Sequence, residues 1–366
     1  MTRATYLDIN VYDAALARTR FVYEHCDDVI VAMSGGKDST VLLHLALAIA
    51  RERGQLPVKV YWLDQEAEWQ ATEDYMRSVF ELPDVKPYWF QFPFRLTNSL
   101  SYRESFLHCW DPAKRDLWIR NQDPLAIKRN PLPGHDRFHY LVKNLPACCE
   151  VADKKHVGVL VGIRMVESLM RCYQLWSKPA AYEGIKWCHR KLIRNTRTFW
   201  PIYDWADRDV WICLARNELP YNRIYDQFYR YGVTGKGMRV SALIHETSWV
   251  AIERLQEIEP QIYNRYVNRV AGVSTFNHLG ETGDIVPRQL PPYFASWEDY
   301  RDYLLEHLTE PESRPIFRNR WQGQEGEAWC KAHVREVVIN DVDGTTNHNN
   351  YGKNRMQAHR RRQAAA

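Results

Sequence analysis

The run Ser34-Gly35-Gly36-Lys37-Asp38-Ser39-Thr40 constrains this chain more than any other stretch of it. Before it stands Val29-Ile30-Val31-Ala32-Met33, a short apolar segment that predicts a buried strand. After it stands Val41-Leu42-Leu43-His44-Leu45-Ala46-Leu47-Ala48-Ile49-Ala50, which predicts a helix. A strand that passes through two glycines into a helix leaves backbone N–H groups curled inward at a helix N-terminus. The helix dipole adds partial positive charge at the same place. Lys37 brings a full positive charge, Asp38 a hard oxygen ligand suited to Mg²⁺, and Ser39 and Thr40 hydroxyls at the helix start. The ligand expected at residues 34–40 is therefore a nucleotide phosphate with magnesium.

The loop differs from the GxxxxGK[ST] phosphate loop. Its SGGxDS pattern resembles the PP-loop of the ATP pyrophosphatases and sulfonucleotide reductases. That resemblance implies ATP or an adenylyl sulfate as ligand, chemistry at the α-phosphate, and the adenine nucleotide alpha hydrolase-like fold.

The flanking sequence predicts an α/β chain. Residues 58–63, 87–92, 156–162 and 198–202 read as further strands, with a helix from about 71 to 80. Alternation of this kind implies a doubly wound, mostly parallel five-stranded sheet, with ligand beyond the carboxyl ends of the strands. Ser34, Asp64, Arg164 and Asp204 all follow strand ends and are expected to converge. Asp64 ends the second strand, where the family places adenosine; metal ligand and turn former are both open roles for it.

A second motif is Gly162-Ile163-Arg164-Met165-Val166-Glu167-Ser168-Leu169-Met170-Arg171. If it opens a helix, Arg164, Glu167, Ser168 and Arg171 share one face, and two guanidiniums can grip a polyphosphate while Glu167 orients one of them. It resembles the GxRxxES..R motif of the sulfonucleotide reductases. A third stretch, residues 200–225, resembles the family's "P..DW...DVW......lPyn.lYd"; Asp204 and Asp207 there read as a helix cap and its capping box. Together the three motifs span about residues 25–250. They suggest catalytic roles for Lys37, Asp38, Arg164 and Arg171, nucleotide contacts from residues 34–40, Asp64, Gly162, Arg164, Glu167 and Ser168, and Asp38 as metal ligand.

Two departures from the reductase pattern matter. The only cysteine after residue 213 is Cys330, and its surroundings do not match the reductase tail. Cys148-Cys149 are present, but the place of the later CxxC reads Gly232-Val233-Thr234-Gly235-Lys236-Gly237-Met238-Arg239. No iron–sulfur cluster of that pattern is expected. Whether Cys148, Cys149, Cys172 and Cys188 bind a metal stays open. The first functional reading is an ATP-binding enzyme cleaving between the α and β phosphates. The alternatives are a sulfonucleotide reductase with an unusual thiol and a non-catalytic, nucleotide-gated co-regulator.

Residues 95–150 lack clean periodicity and read as an insertion or lid. Residues 1–250 are expected to form the nucleotide domain, 251–340 a helical C-terminal extension, and 341–366 a flexible basic tail. Lys186, Arg190, Lys191, Arg194 and Arg197 form one acid-free basic segment; Lys353, Arg355, Arg360, Arg361 and Arg362 form another. Trp187, Phe199 and Trp200 are interleaved with the first, and both segments suggest nucleic acid or a ribonucleoprotein as partner. Through "LDQEAEW" and "YRYGVTGKGMR" the chain resembles CysH-like proteins that lack the reductase cysteines, found in phages, on plasmids and beside type IV CRISPR systems. That implies a mobile-element role. The eight cysteines, polar N-terminus and lack of a membrane-length apolar run lead to an expectation of a cytoplasmic protein without membrane contact.

Overall fold

Strand β1 (Asp28–Ala32) is apolar on both faces and occupies the middle of a sheet covered on both sides. Val29 and Val31 face helices α1 (Val11–His25), α2 (Lys37–Glu52) and α3 (Gln70–Phe80), where Val22, Leu42, Ala46, Met76 and Val79 pack against them. Ile30 faces the other way, into a larger core with Tyr61, Phe90, Leu145 and Phe228. The computed structural model describes residues 7–101, 104–151, 156–177, 182–190, 195–241, 243–276 and 286–344.

The remaining strands are β2 (Val58–Leu63), β3 (Val85–Phe90), β4 (Phe94–Thr97), β5 (Phe106–Cys109), β6 (Val157–Val161), β7 (Cys188–Arg190) and β8 (Thr196–Phe199). The main sheet runs β3-β2-β1-β6-β8-β7 and is parallel except for β7 against β8. It is thus the expected doubly wound, mostly parallel sheet, with six strands instead of five. The unforeseen strand is the three-residue β7, too short to carry a period. The last expected strand also begins earlier: β8 ends at Phe199, and Trp200 starts a turn.

The chain leaves β1 toward β2 on one side and, after β6, crosses to β8 on the other. The neighbours β1 and β6 therefore mark the switch point, where loops leaving adjacent strands diverge and open a crevice. Ala32 pairs with Val161, so the loop at residues 33–36 and the turn at 162–164 begin side by side.

The insertion is more ordered than its sequence suggests. β4 and β5 form an antiparallel hairpin, followed by α4 (Phe138–Asn144). Between β6 and β7 lies α5 (Leu169–Ser177), and past β8 come α6 (Asp207–Arg216), α7 (Ile224–Arg230), α8 (Trp249–Ile252), α9 (Leu255–Ile258), α10 (Pro260–Arg269) and α11 (Val273–Phe276). A terminal group, α12 (Trp297–Leu308), α13 (Arg314–Trp321) and α14 (Glu327–Val338), shares an apolar core with Phe106 of the hairpin. Asn340 Nδ2 donates to the Asn98 carbonyl at 2.7 Å and also to that of Ser101, while Asp343 accepts from Thr97 and Arg137, each at 2.7 Å. No helix among the described residues is long and apolar enough to cross a membrane.

A second tether holds the segment after β2. Residues 64–69 are all buried, although Asp64, Glu66 and Glu68 are acidic. Arg269 of α10 reaches Glu66 through Nε at 2.6 Å and through its terminal nitrogen at 2.9 Å. The Trp110 N–H donates to the same carboxylate, and Glu259 accepts from the first N–H groups of α3 at 2.9 and 3.0 Å. Removing one partner of such a pair strands a buried charge, at a cost of about 3–5 kcal/mol. Arg269→Ala should lower the urea-unfolding free energy by about that amount, and a loss below about 1 kcal/mol would show the tether to be dispensable.

Candidate functional site

Backbone geometry at the loop is set by Gly35, whose φ of +69° belongs to glycine and whose missing Cβ would lie 2.6 Å from Thr72 Cγ2. Asn222 fixes the turn by donating to the Gly35 carbonyl at 3.0 Å and to Thr72 Oγ1 at 2.9 Å. Gly36 caps α2 without a side chain, so the first helical turn lacks the usual capping oxygen. Ser39 and Thr40 turn their hydroxyls inward to the Gly36 carbonyl at 2.9 and 3.0 Å. Ser34 Oγ lies 3.3 Å from Ser39 Oγ. The N–H groups of Gly35 and Gly36 are on buried residues and find no acceptor among the described residues. Two such donors at a helix N-terminus form a concavity for an anion.

The turn after β6 comes against this loop because Gly162 has no side chain. A Cβ there would lie 2.9 Å from both the Asp38 carbonyl carbon and the Ser39 nitrogen. The close approach brings Arg164 to Asp38 and produces a closed ring of alternating charge. Lys37 Nζ lies 3.4 Å from Asp38 Oδ2 and 3.2 Å from Asp207 Oδ1. Arg164 pairs with Asp38 through Nε and with Asp207 at 3.2 Å. Tyr225 supports the ring from below: its hydroxyl accepts the Lys37 N–H at 3.1 Å, and its ring centroid is 5.4 Å from Lys37 Nζ. Burial raises the Tyr225 phenol well above its ordinary range, so it stays a neutral partner.

Asp207 was read from sequence as part of a helix cap. The cap is instead Ala206, whose N–H donates to Asp209 at 2.7 Å, two residues later than the pattern suggests. Asp204, the other expected cap, forms a bidentate pair with Arg18 at 2.7 Å and lies outside the ring. Asp207 is thereby freed to face the loop from the start of α6 and joins the ring, a place its capping signature in the sequence does not suggest.

The second motif is also arranged differently from a continuous helix. Met165–Glu167 form a 3₁₀ turn, and α5 begins only at Leu169. Ser168 Oγ accepts the Arg171 N–H at 3.2 Å, a capping role. Glu167 still sits between the two arginines, 3.4 Å from Arg164 Nε and in an ion pair with Arg171. Burial, and after it the charge of Arg239, lowers Arg171 to about 10.

Asp64 does not join the ring. It is fully buried: Oδ2 accepts from Trp89 Nε1 at 2.9 Å and Gln91 Nε2 at 2.7 Å, while Oδ1 accepts from the Glu66 N–H and Arg120. Of its two open roles, this geometry favours the structural one. Arg197, from the basic segment, sits near the start of β8 opposite Gly158, with His156 Nδ1 at 3.1 Å and Tyr182 beneath its guanidinium at 4.3 Å. It belongs to the opposite end of the sheet from the loop. Lys186 is exposed; Lys191, Arg194 and the tail residues Lys353, Arg355, Arg360, Arg361 and Arg362 lie outside the described residues, as does the side chain of Arg190. Among the described residues no three His, Cys, Asp or Glu side chains are grouped to hold a metal ion. Cys149 is buried with its thiol toward the Leu145 carbonyl, and burial holds it strongly protonated.

Residues 28–86 and 118–232 match the phosphoadenosine phosphosulfate reductase domain, and residues 232–360 match a domain of unknown function, DUF3440. The uncharacterized protein YbdN of Escherichia coli (strain K12) is 28% identical over 327 residues, covering 86% of this chain and 79% of that protein. The adenosine 5'-phosphosulfate reductase of Bacillus mycoides is 25% identical over 210 residues, 56% of this chain and 71% of its own length. Among solved structures, the phosphoadenylyl-sulfate reductase from Candida auris in its phosphate complex aligns with a TM-score of 0.33 at 15% identity, covering 61% of this chain and 93% of that one. The chain thus carries a phosphoadenosine phosphosulfate reductase-like domain.

The contact of Gly162 with the loop yields a direct test. Gly162→Ala should cost about 1–3 kcal/mol of unfolding free energy, since its methyl meets backbone that cannot rotate away. A neutral substitution would mean that the two turns are not held in contact.

Proposed function

We propose that this protein binds ATP at residues 34–40 and cleaves it between the α and β phosphates. The observation that carries this reading is the charge ring of Lys37, Asp38, Arg164 and Asp207 beside two backbone N–H groups, of the buried Gly35 and Gly36, that have no acceptor among the described residues. An acceptor oxygen would attack the α-phosphorus, the bond to the bridging oxygen would break, and pyrophosphate would leave with the electron pair. The acceptor's proton passes to solvent. With water as acceptor the products are AMP and pyrophosphate. Such a displacement needs charge neutralisation and alignment, and the loop, Lys37 and the two arginines supply both.

Asp38 and Asp207 are the carboxylates at the loop, and both are ion-paired with Lys37 and Arg164. They fit Mg²⁺ held mainly by phosphate oxygens, since this ion commonly uses only one or two protein carboxylates. When bound there it would neutralise charge developing on the leaving pyrophosphate.

A reductase would need a reactive thiol. Cys330 is 4% exposed, packed on α14, with its thiol pushed up by burial. That environment suits a core residue and counts against the sulfonucleotide-reductase alternative. For a nucleic-acid acceptor or a mobile-element role, Arg197 offers no support, being engaged with His156 and Tyr182.

Incubation with α-labelled ATP and Mg²⁺ should yield AMP or an adenylylated acceptor. Lys37→Ala and Asp38→Ala should each reduce the rate about 10²–10³-fold. Tight ATP binding without turnover, under acceptor-supplemented conditions, would replace this reading with the nucleotide-gated co-regulator.

A further inference from the structure

A buried hydroxyl ordinarily uses its proton as well as a lone pair, because a donor taken out of water and left without an acceptor is destabilising. Tyr225 departs from that rule. It is 4% exposed, and its oxygen accepts the Lys37 N–H at 3.1 Å. The proton on that oxygen has no acceptor among the described residues.

Packing fixes where this hydroxyl stands. The ring is held edge-on between Trp211 and Phe228, with centroids 5.3 and 6.1 Å away at interplanar angles of 89° and 83°. The Tyr225 N–H donates to the Asn222 carbonyl at 3.3 Å, and the Asn222 side chain donates to the Gly35 carbonyl at 3.0 Å. Residues 222 and 225 therefore grip the loop on either side of Gly36. A Cβ on Gly36 would lie 3.3 Å from both Ser34 Oγ and Tyr225 Oη, so two hydroxyls flank that glycine.

The N–H groups of Gly35 and Gly36 also lack an acceptor among the described residues. With the Tyr225 O–H they make three such donors on buried residues around one turn at a helix N-terminus. Donors gathered without acceptors suit an anion. The Lys37 N–H, by bonding to the phenol oxygen, polarises the O–H and makes it a better donor. The hydroxyl thus relays a loop N–H, carrying its hydrogen bond one atom further from the helix. Burial keeps the phenol protonated and so able to donate.

We propose that Tyr225 binds substrate directly: with its oxygen held by the Lys37 N–H, it donates its proton to an oxygen of the nucleotide phosphate chain seated on residues 34–40. The proposal rests on the nucleotide reading above and brings the third sequence motif into contact with the ligand.

Calorimetric titration of the full chain with the non-hydrolysable α,β-methylene analogue of ATP tests this. Tyr225→Phe keeps the ring beside Lys37 Nζ and removes only the hydroxyl. The analogue's Kd should rise about tenfold, the loss expected of one hydrogen bond to a charged group. A merely structural hydroxyl gives another result: its removal frees the Lys37 N–H for phosphate, so Kd falls or stays within about threefold while the thermal midpoint of the empty protein drops. That outcome overturns the proposal and leaves the nucleotide reading standing. If wild type does not bind the analogue, both fall. Should Tyr225→Phe fail to fold, wild-type crystals grown with the analogue decide. A phosphate oxygen within about 3.2 Å of Tyr225 Oη supports the proposal, and phosphate on the loop with no oxygen that close overturns it.

Discussion

The ring of Lys37, Asp38, Arg164 and Asp207 is the interaction on which the rest of the site depends. Its members come from three places that the topology must bring together: the helix after β1, the turn after β6, and the start of the helix after β8. The arms are unequal. Arg164 and Asp38 are 5% and 17% exposed, so their attraction is weakly screened. Asp207 is 61% exposed, and its pairs at 3.2 Å contribute little in water. A phosphate arriving at the loop would therefore displace the Asp207 arm first and leave the Asp38–Arg164 arm as scaffold.

The fold pays for this open, charged corner with buried order elsewhere. The segment after β2 is closed by Arg269, Glu259 and Tyr266, the last donating to the Glu68 carbonyl at 2.7 Å. Glu68 itself is buried, its carboxylate oxygens without a hydrogen-bond partner among the described residues, and burial, then the charge of Asp64, pushes it well above the usual carboxylate range. The crevice is thus walled on the β2 side. On the other side Asp207 is 61% exposed.

Much of this was legible in the sequence where the signal is local. The glycine pair, the apolar run before it and the helix after it each carry their own physical requirement, and the parallel sheet follows from their alternation. Gly162 and Arg164 were also recognisable, by their resemblance to the reductase motif and because Arg164 follows a strand end. What escaped was set by distant partners. β7 is three residues long and exists only by pairing with β8. The hairpin of β4 and β5 is covered by helices more than 180 residues later, so its strands show no clean alternation. Asp207 has the local signature of a cap, and a shift of the true cap to Ala206 turns it toward Lys37. Asp64 looked like a ligand because it ends a strand, yet Trp89, Gln91 and Arg120 bury its charge in the fold.

The most direct measurement is a crystal structure of the protein with the α,β-methylene analogue of ATP and Mg²⁺. The account predicts phosphate oxygens on the Gly35 and Gly36 N–H groups, Lys37 and Arg164 turned onto phosphate, and Asp207 released from both. Nucleotide bound elsewhere, or the four-residue ring intact beside it, would contradict it.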